Sequence, residues 1–177
     1  IFGPSKLASQ LEGSKAFCKD FLARNNIPTA FYKTFTEAEE AKLYVKEQGT
    51  PIVIKADGLA AGKGVIIANS TQEAVNTIDD MLEGNSFGDA GSRVVIEEFL
   101  VGEEASFIVM VDGINILPMA TSQDHKARDN DDKGPNTGGM GAYSPAAIVS
   151  PAIFDEVMDT VIKTTVDAMQ SEGMPYT

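Results

Sequence analysis

The run Val53-Ile54-Lys55-Ala56-Asp57-Gly58-Leu59-Ala60-Ala61-Gly62-Lys63-Gly64-Val65 sets two lysines around a Gly/Ala-rich loop. Glycines let a backbone come close to a ligand and present its N–H groups, and lysines supply the positive charge that phosphates require. The chemistry this spells is nucleotide-phosphate binding. It is not a Walker loop, which needs four residues between its first Gly and its Gly-Lys pair, then Ser or Thr. Here Gly58 and Gly62 enclose three residues and Gly64 follows Lys63. The segment after Gly64 reads as a strand, so the loop joins two strands and implies a lid that folds over phosphates. Lys55 ends an apolar strand, where an unpaired ammonium is costly. A phosphate would remove that cost; the alternative is a lysine snorkelling to solvent. Lys63, at the loop tip, serves a ligand only when the lid closes.

Two further stretches carry polar chemistry. Ile96-Glu97-Glu98-Phe99-Leu100-Val101-Gly102-Glu103-Glu104 pairs a strand edge, able to read a base through backbone C=O and N–H, with carboxylates able to accept ribose hydroxyls. On its own, an acidic hairpin is an ordinary solvated face. Ser122-Gln123-Asp124-His125-Lys126, with Asp132 to Gly141, offers donors and acceptors for a polar, phosphorylated substrate. Gly138, Gly139 and Gly141 free the backbone there for an anion-binding nest. His125 is the single histidine and reads as a hydrogen-bonding positioner rather than a proton shuttle.

Composition narrows the classes. At 177 residues, 43% of them apolar, the chain can bury a core. A formal net charge of -12 disfavours nucleic acid and anionic membrane as partners, and makes locally clustered lysines more telling. No apolar run reaches the ~20 residues of a membrane span, and nothing at the start reads as a signal peptide. One cysteine, Cys18, excludes an internal disulfide, fits a reducing, cytoplasmic setting, and reads as a packing residue on an apolar helical face. Ile1-Phe2-Gly3-Pro4 reads as the tail of a strand, and Glu172 to Thr177 stops short of a next element. The sequence is therefore expected to be a piece of a longer polypeptide.

The elements that must hold these residues are legible in part. Ser14 caps a helix to about Arg24. Ala30 to Phe35 is strand-like, and Thr36 with Glu39 forms a capping box for a helix closing at Gly49. Ile52 to Lys55 and Val65 to Ala68 are strands around the loop, and Ser70 with Glu73 caps a helix ending near Gly84. Val94 to Leu100 and Ala105 to Val111 are β-rich, and Asp112-Gly113 is a hairpin turn into Ile114 to Met119. From Thr121 to Ser144 no hydrophobic period survives, which predicts a long functional loop. Ser150 and Pro151 open a helix to Gly173. The order suits an α+β fold: a lid subdomain over residues 28–101, inserted in a core made of residues 1–27 and 102–177.

These motifs resemble the glycinamide ribonucleotide synthetases (phosphoribosylamine–glycine ligases), ATP-grasp ligases of purine biosynthesis. The resemblance is carried by Leu11-Glu12-Gly13-Ser14-Lys15, the Lys55 to Val65 loop, Glu97 to Ser106, and Gln123 to Lys126 through Gly134 to Pro145. The last of these is specific to the family; the lysine loop and acidic hairpin are shared across ATP-grasp enzymes. The resemblance implies an ATP-grasp fold and ligation of glycine to phosphoribosylamine through a glycyl phosphate. Other ATP-grasp carboxylate–amine ligases, or a nucleotide-binding module without catalysis, are the alternatives.

By the same resemblance Lys15, Lys55 and Lys63, with Gly62 and Gly64, would meet ATP phosphates. Glu97 and the Leu100 backbone would read adenine, and Glu104 would hold the ribose. Asp124, Asn136, Thr137, Gly138 and Gly139 would meet the phosphoribosyl substrate, and Lys55, Asp124, His125 and Lys126 are the candidate catalytic residues. The ligands for Mg²⁺ (or Mn²⁺), a Glu and an Asn on a later strand, would lie beyond Thr177, with none in this chain. The piece alone is then expected to be inactive, and the longer protein monomeric or weakly oligomeric.

Overall fold

A computed structural model describes residues 3–60, 64–84, 87–130 and 133–177. Contacts divide the chain into two compact units, one of Lys6–Leu100 and one of residues 3–5 with Val101–Thr177. Residues 6–27 pack with the first unit, whereas their sequence placed them beside residue 102 onward.

The first unit is built on a four-stranded antiparallel sheet of β1 (Tyr32–Phe35), β2 (Ile52–Ala56), β3 (Val65–Ala68) and β4 (Val94–Glu98), in the order β1-β4-β2-β3. Side chains alternate across a strand, so its two faces have different fates. On one face Phe35, Ile52, Ile54, Ala68, Val94 and Ile96 are buried. They pack with Ala41 and Val45 of α3 (Ala38–Gln48) and with Ala74, Ile78 and Met81 of α4 (Thr71–Leu82). The small residues at the helix contacts let both helices lie close on the sheet. Ser70 accepts from the Glu73 N–H as the α4 cap. The capping box expected at Thr36 does not form. Helix α3 starts two residues later with Glu37 at its N-cap, and Glu39 pairs with Lys42 instead, which also bridges to Asp79 on α4.

The other face carries Val53, Lys55, Val65, Ile67, Val95 and Glu97, because Lys55 pairs with Val65 and Val53 with both Ile67 and Glu97. Within this unit, α2 (Lys15–Arg24), preceded by the short α1 (Gln10–Gly13), lies against it, burying Phe21 and bringing Lys19 to Glu97. Val65 and Ile67 at the sheet edge stay exposed.

Asp57, the residue after β2, clasps the start of α2. Its Oδ1 accepts the Ala16 N–H at 2.7 Å and the Ser14 hydroxyl at 3.0 Å. Its Oδ2 accepts Arg93 Nε at 2.9 Å and Nη2 at 2.6 Å. Burial pushes the Asp57 carboxyl up, but the Ala16 amide, the Arg93 guanidinium and the Ser14 hydroxyl outweigh it and hold it below the ordinary carboxylate value. Each stabilises the ionised form by hydrogen bonding or charge.

In the second unit, β5 (Val109–Val111) and β6 (Ile116–Pro118) form a hairpin closed by residues 112–115. There Asp112 Oδ1 accepts the Ile114 and Asn115 N–H groups, so the connection is four residues rather than a two-residue Asp-Gly turn. The stretch expected to be a structureless loop is instead a second hairpin, β7 (Gln123–Asp129) with β8 (Lys133–Tyr143). Hydrophobic alternation is missing because few of this ribbon's described side chains are buried; of β7 only Gln123 is. Backbone pairing, which leaves no trace in side-chain polarity, holds it together. Ser150 and Pro151 open α5 (Pro151–Val157), which continues through a π-helical turn, Met158–Lys163, into α6 (Thr164–Ser171).

The unequal faces can be measured. Ile54→Ala, in the fully buried face, is expected to cost about 2–5 kcal/mol in urea denaturation. Ile67→Ala on the exposed face should stay near 0.5 kcal/mol, roughly the range of surface substitutions. The clasp adds a pH dependence. Because the folded Asp57 carboxyl sits below its unfolded value, its contribution is full above about pH 4 and is lost as pH falls through the folded value. Asp57→Asn should therefore destabilise by about 1–3 kcal/mol at neutral pH, and the gap to wild type should close in acid. A gap independent of pH would show that the carboxylate charge contributes nothing.

Candidate functional site

On the open face of the first unit, α2 and the β2–β3 loop wall a cleft of about 430 Å³. Lys15, Lys19 and Lys55 line it, together with Glu12, Glu97, Cys18, Leu11, Leu59, Ala60, Gly64 and Val65. Each comes from an element whose local sequence fixes it. Lys15 and Lys19 sit one turn apart on α2 and so share a helix face. Lys55 and Glu97 sit diagonally on neighbouring antiparallel strands, close enough for long side chains to meet. Gly64 returns the loop to β3 where a Cβ would stand 2.6 Å from the Ala60 Cβ and 3.2 Å from that of Ala56. Any side chain there would push the loop off the end of β2.

The charges are arranged around Glu97, which is 4% exposed. One carboxylate oxygen accepts from Lys55 Nζ at 2.9 Å and meets Lys19 Nζ at 3.0 Å. Lys19 also donates to Thr29 Oγ1 at 2.8 Å. Within the protein, Glu97 meets the cost of burying the Lys55 ammonium. The Lys55 side chain is still 27% exposed, so its remaining donors open on the cleft. Lys15 donates to the Gly58 carbonyl at 3.0 Å, and its own N–H donates to the Asp57 carbonyl at 3.2 Å. Its ammonium stands over the first turn of the glycine-rich loop. Burial pushes the Cys18 thiol up in pKa, which suits the packing role and not a nucleophile.

Of the residues singled out by sequence, Lys15, Lys55, Gly64 and Glu97 meet in this cleft. Gly62 and Lys63 lie outside the described residues. Leu100 is exposed at the end of the unit and does not line the cleft. Lys19, Asp57 and Arg93 were missed. Lys19 was open to discovery, being one turn on from Lys15. The pairing of Asp57 with Arg93 spans 36 residues of sequence and left no local signal.

Glu104, Asp124, His125, Lys126, Asn136, Thr137, Gly138 and Gly139 belong to the second unit. Lys126 Nζ pairs with Glu104 at 3.0 Å and lies 4.0 Å from Asp124. His125 stacks on Tyr143 with ring centroids 5.6 Å apart, and Tyr143 donates to buried Gln123, which reaches Glu103. The glycines expected in a free nest lie in β8. His125 pairs with Gly141 and Ala127 with Asn136, so Thr137 to Met140 bulge out opposite Lys126 alone. Thr137 Oγ1 spans the bulge, donating to the Lys126 carbonyl and accepting the Gly139 N–H, which is thereby occupied. Gly139 has φ +129, and an added Cβ would meet Asp124 Oδ1 at 3.1 Å.

The chain is similar to known proteins along nearly all of its length. The family model of the phosphoribosylglycinamide synthetase ATP-grasp (A) domain matches residues 13–177. A phosphoribosylamine–glycine ligase of Vibrio parahaemolyticus is 70% identical over 177 residues, and one of Pseudomonas aeruginosa is 68% identical; the chain spans 41% of the length of each. The crystal structure of phosphoribosylamine–glycine ligase from Thermotoga maritima superposes with a TM-score of 0.90 at 36% identity, covering 99% of this chain and 44% of that one. The biotin carboxylase domain of Hydrogenobacter thermophilus 2-oxoglutarate carboxylase superposes at 0.74 with 22% identity over 94% of this chain and 36% of that one, a likeness of fold alone. With nearly all of its length matched by one family and its fold shared with ATP-grasp structures, the chain belongs to the phosphoribosylglycinamide synthetase ATP-grasp (A) domain family.

Proposed function

We propose that the chain is the nucleotide-binding part of an ATP-dependent ligase that joins glycine to phosphoribosylamine, giving glycinamide ribonucleotide in the cytoplasm. The observation that carries the reading is the cleft itself: three lysines gathered against a net charge of -12, beside a loop whose glycine is required by close packing. The glycine carboxylate attacks the γ-phosphate of ATP, releasing ADP and forming glycyl phosphate. The amine then attacks the carbonyl and phosphate departs. No protein nucleophile is needed, so the protein's share is orientation and charge compensation.

In this reading Lys15 and Lys55 meet the phosphates, and Glu97 holds Lys55 and Lys19 in place beside the base. The loop of Gly58 to Gly64, with Lys63, closes over the nucleotide, which makes residues 28–101 a lid. Glu104 takes the ribose. Asp124, His125, Lys126 and the Thr137 to Gly139 bulge hold the phosphoribosyl substrate with Asn136. A divalent metal, Mg²⁺ or Mn²⁺, supplies further neutralisation of the phosphates when bound. Among the described residues no group of three or more His, Cys, Asp or Glu side chains is placed to hold it, and the resemblance assigns its ligands to later sequence. Among the same residues no helix is long and apolar enough to cross a membrane.

Phosphate release by the full-length protein, dependent on ATP, glycine and phosphoribosylamine together, tests the reading; release that ignores glycine would overturn it. Lys55→Ala should weaken ATP binding by about 1.5–3 kcal/mol, the worth of a charge-assisted contact. Lys42→Ala, whose ammonium bridges α3 and α4 behind the sheet, should leave ATP affinity unchanged in the same calorimetric titration. Equal losses in the two variants would remove the cleft from the mechanism.

A further inference from the structure

The cleft's charges come from three segments far apart in sequence, and one buried residue touches all three. Asp57 follows Ala56 at the end of β2, two residues after Lys55. Its carboxylate takes the Ser14 hydroxyl and the Ala16 N–H at the start of α2, the helix that carries Lys15 and Lys19. The same carboxylate takes Nε and Nη2 of Arg93, immediately before β4, the strand that carries Glu97. Its main chain repeats the pattern, with its N–H on the Arg93 carbonyl at 3.0 Å and its carbonyl accepting the Lys15 N–H at 3.2 Å. Asp57 is 7% exposed and does not line the cleft. It can act on a ligand only through what it holds.

A buried carboxylate is a poor way to gain stability, because desolvation offsets much of what its partners return. Its merit is geometric. The bonds from Ser14 and Ala16 to its carboxylate, with the Lys15 N–H on its carbonyl, fix where the start of α2 stands against the end of β2, to within the tolerance of a hydrogen bond. Lys15 is the residue between the two clasped positions, Ser14 and Ala16, and its ammonium is aimed over Gly58. Gly58 is itself seated so closely that an added Cβ would stand 2.9 Å from the Ala90 Cβ.

We propose that Asp57, with Arg93, is the positioning residue for nucleotide capture, holding Lys15 of α2 and Lys55 of β2 at one cleft so that both ammoniums meet a single polyphosphate. This rests on the reading of the cleft as the ATP site. Releasing the clasp leaves each lysine in the protein but lets α2 shift along the sheet, so polyphosphate is met by one ammonium at a time. The chemistry downstream of binding is untouched.

The test uses the full-length protein with Asp57→Asn, Arg93→Gln and the double variant, assayed well below each melting temperature. Asp57→Asn keeps size and an acceptor for Ala16 but turns a charged acceptor away from Arg93. Arg93→Gln removes a side chain that is 46% exposed and should fold without difficulty. Each single variant is expected to raise the KM for ATP by about tenfold, the loss of one charge-assisted contact. The kcat and the KM for glycine should stay within about twofold, the signature of lost uniform binding. The double variant should be no worse than the weaker single, since the two residues act as one unit. A fall in melting temperature with an unchanged KM for ATP would make the clasp structural only and overturn the proposal. If Asp57→Asn does not fold, Arg93→Gln decides by the same criterion. A wild-type protein that binds no ATP overturns the nucleotide reading and this proposal together. Normal ATP binding by wild type beside unmoved variants overturns this proposal alone.

Discussion

A carboxylate buried in the face of a sheet must have positive partners, and meeting that requirement at Glu97 organises the first unit. An isolated buried charge costs several kcal/mol by rough estimate even after the protein relaxes, and far more if nothing answers it. Glu97 is answered twice, by Lys55 from the neighbouring strand and by Lys19 from α2. Two cations on one carboxylate leave positive charge over, and Lys55 keeps an open side. The arrangement that makes Glu97 tolerable is therefore also the one that leaves the cleft receptive to an anion. Replacing all three by apolar residues could yield a sheet just as stable, but it would leave no ammonium of theirs open on the cleft.

The same requirement explains the inequality of the two faces. The face under α3 and α4 is closed with Ile, Val, Ala and Met at full burial and bears the stability of the unit. The opposite face cannot be closed in that way without stranding its charges, and within the unit it is α2 that lies on it. Even α2 is docked through polar groups at its N-terminus, where Asp57 satisfies helix N–H donors that would otherwise lack partners. Hydrophobic burial sets whether the unit folds; the directed polar bonds set where the lysines stand once it has.

What the sequence disclosed follows this division. Elements with a buried stripe were legible: β2 and β3 around the glycine loop, α2 from its Ser14 cap, and α4 from Ser70 and Glu73. The β7–β8 ribbon was not, because its ladder is made of backbone groups and its side chains are polar on both sides. The α3 cap misled, since Thr36 and Glu39 have the right spacing but Lys42 competes for Glu39. At the site, local patterns yielded Lys55, Gly64 and, through resemblance, Lys15 and Glu97. Lys55 was identified correctly as a charge needing a partner, but which partner depended on strand register, and register is fixed by the fold as a whole. Asp57 and Arg93 were silent for the same reason.

Net charge gives the last constraint. At -12 the chain as a whole repels a polyanion, and screening at physiological ionic strength confines that repulsion to roughly a Debye length of about 8 Å. Inside the cleft the balance is reversed by three lysines against two glutamates, with the apolar Leu11, Cys18 and Val65 also lining it. Charge–charge attraction strengthens as water is excluded, so covering the cleft raises the pull of the lysines at the moment a phosphate chain is in place. An open, hydrated cleft on an acidic protein would then hold a polyphosphate weakly, and a covered one tightly. In the proposed reading, that difference gives the β2–β3 connection its use, with Gly64 packed against Ala56 and Ala60 at its base.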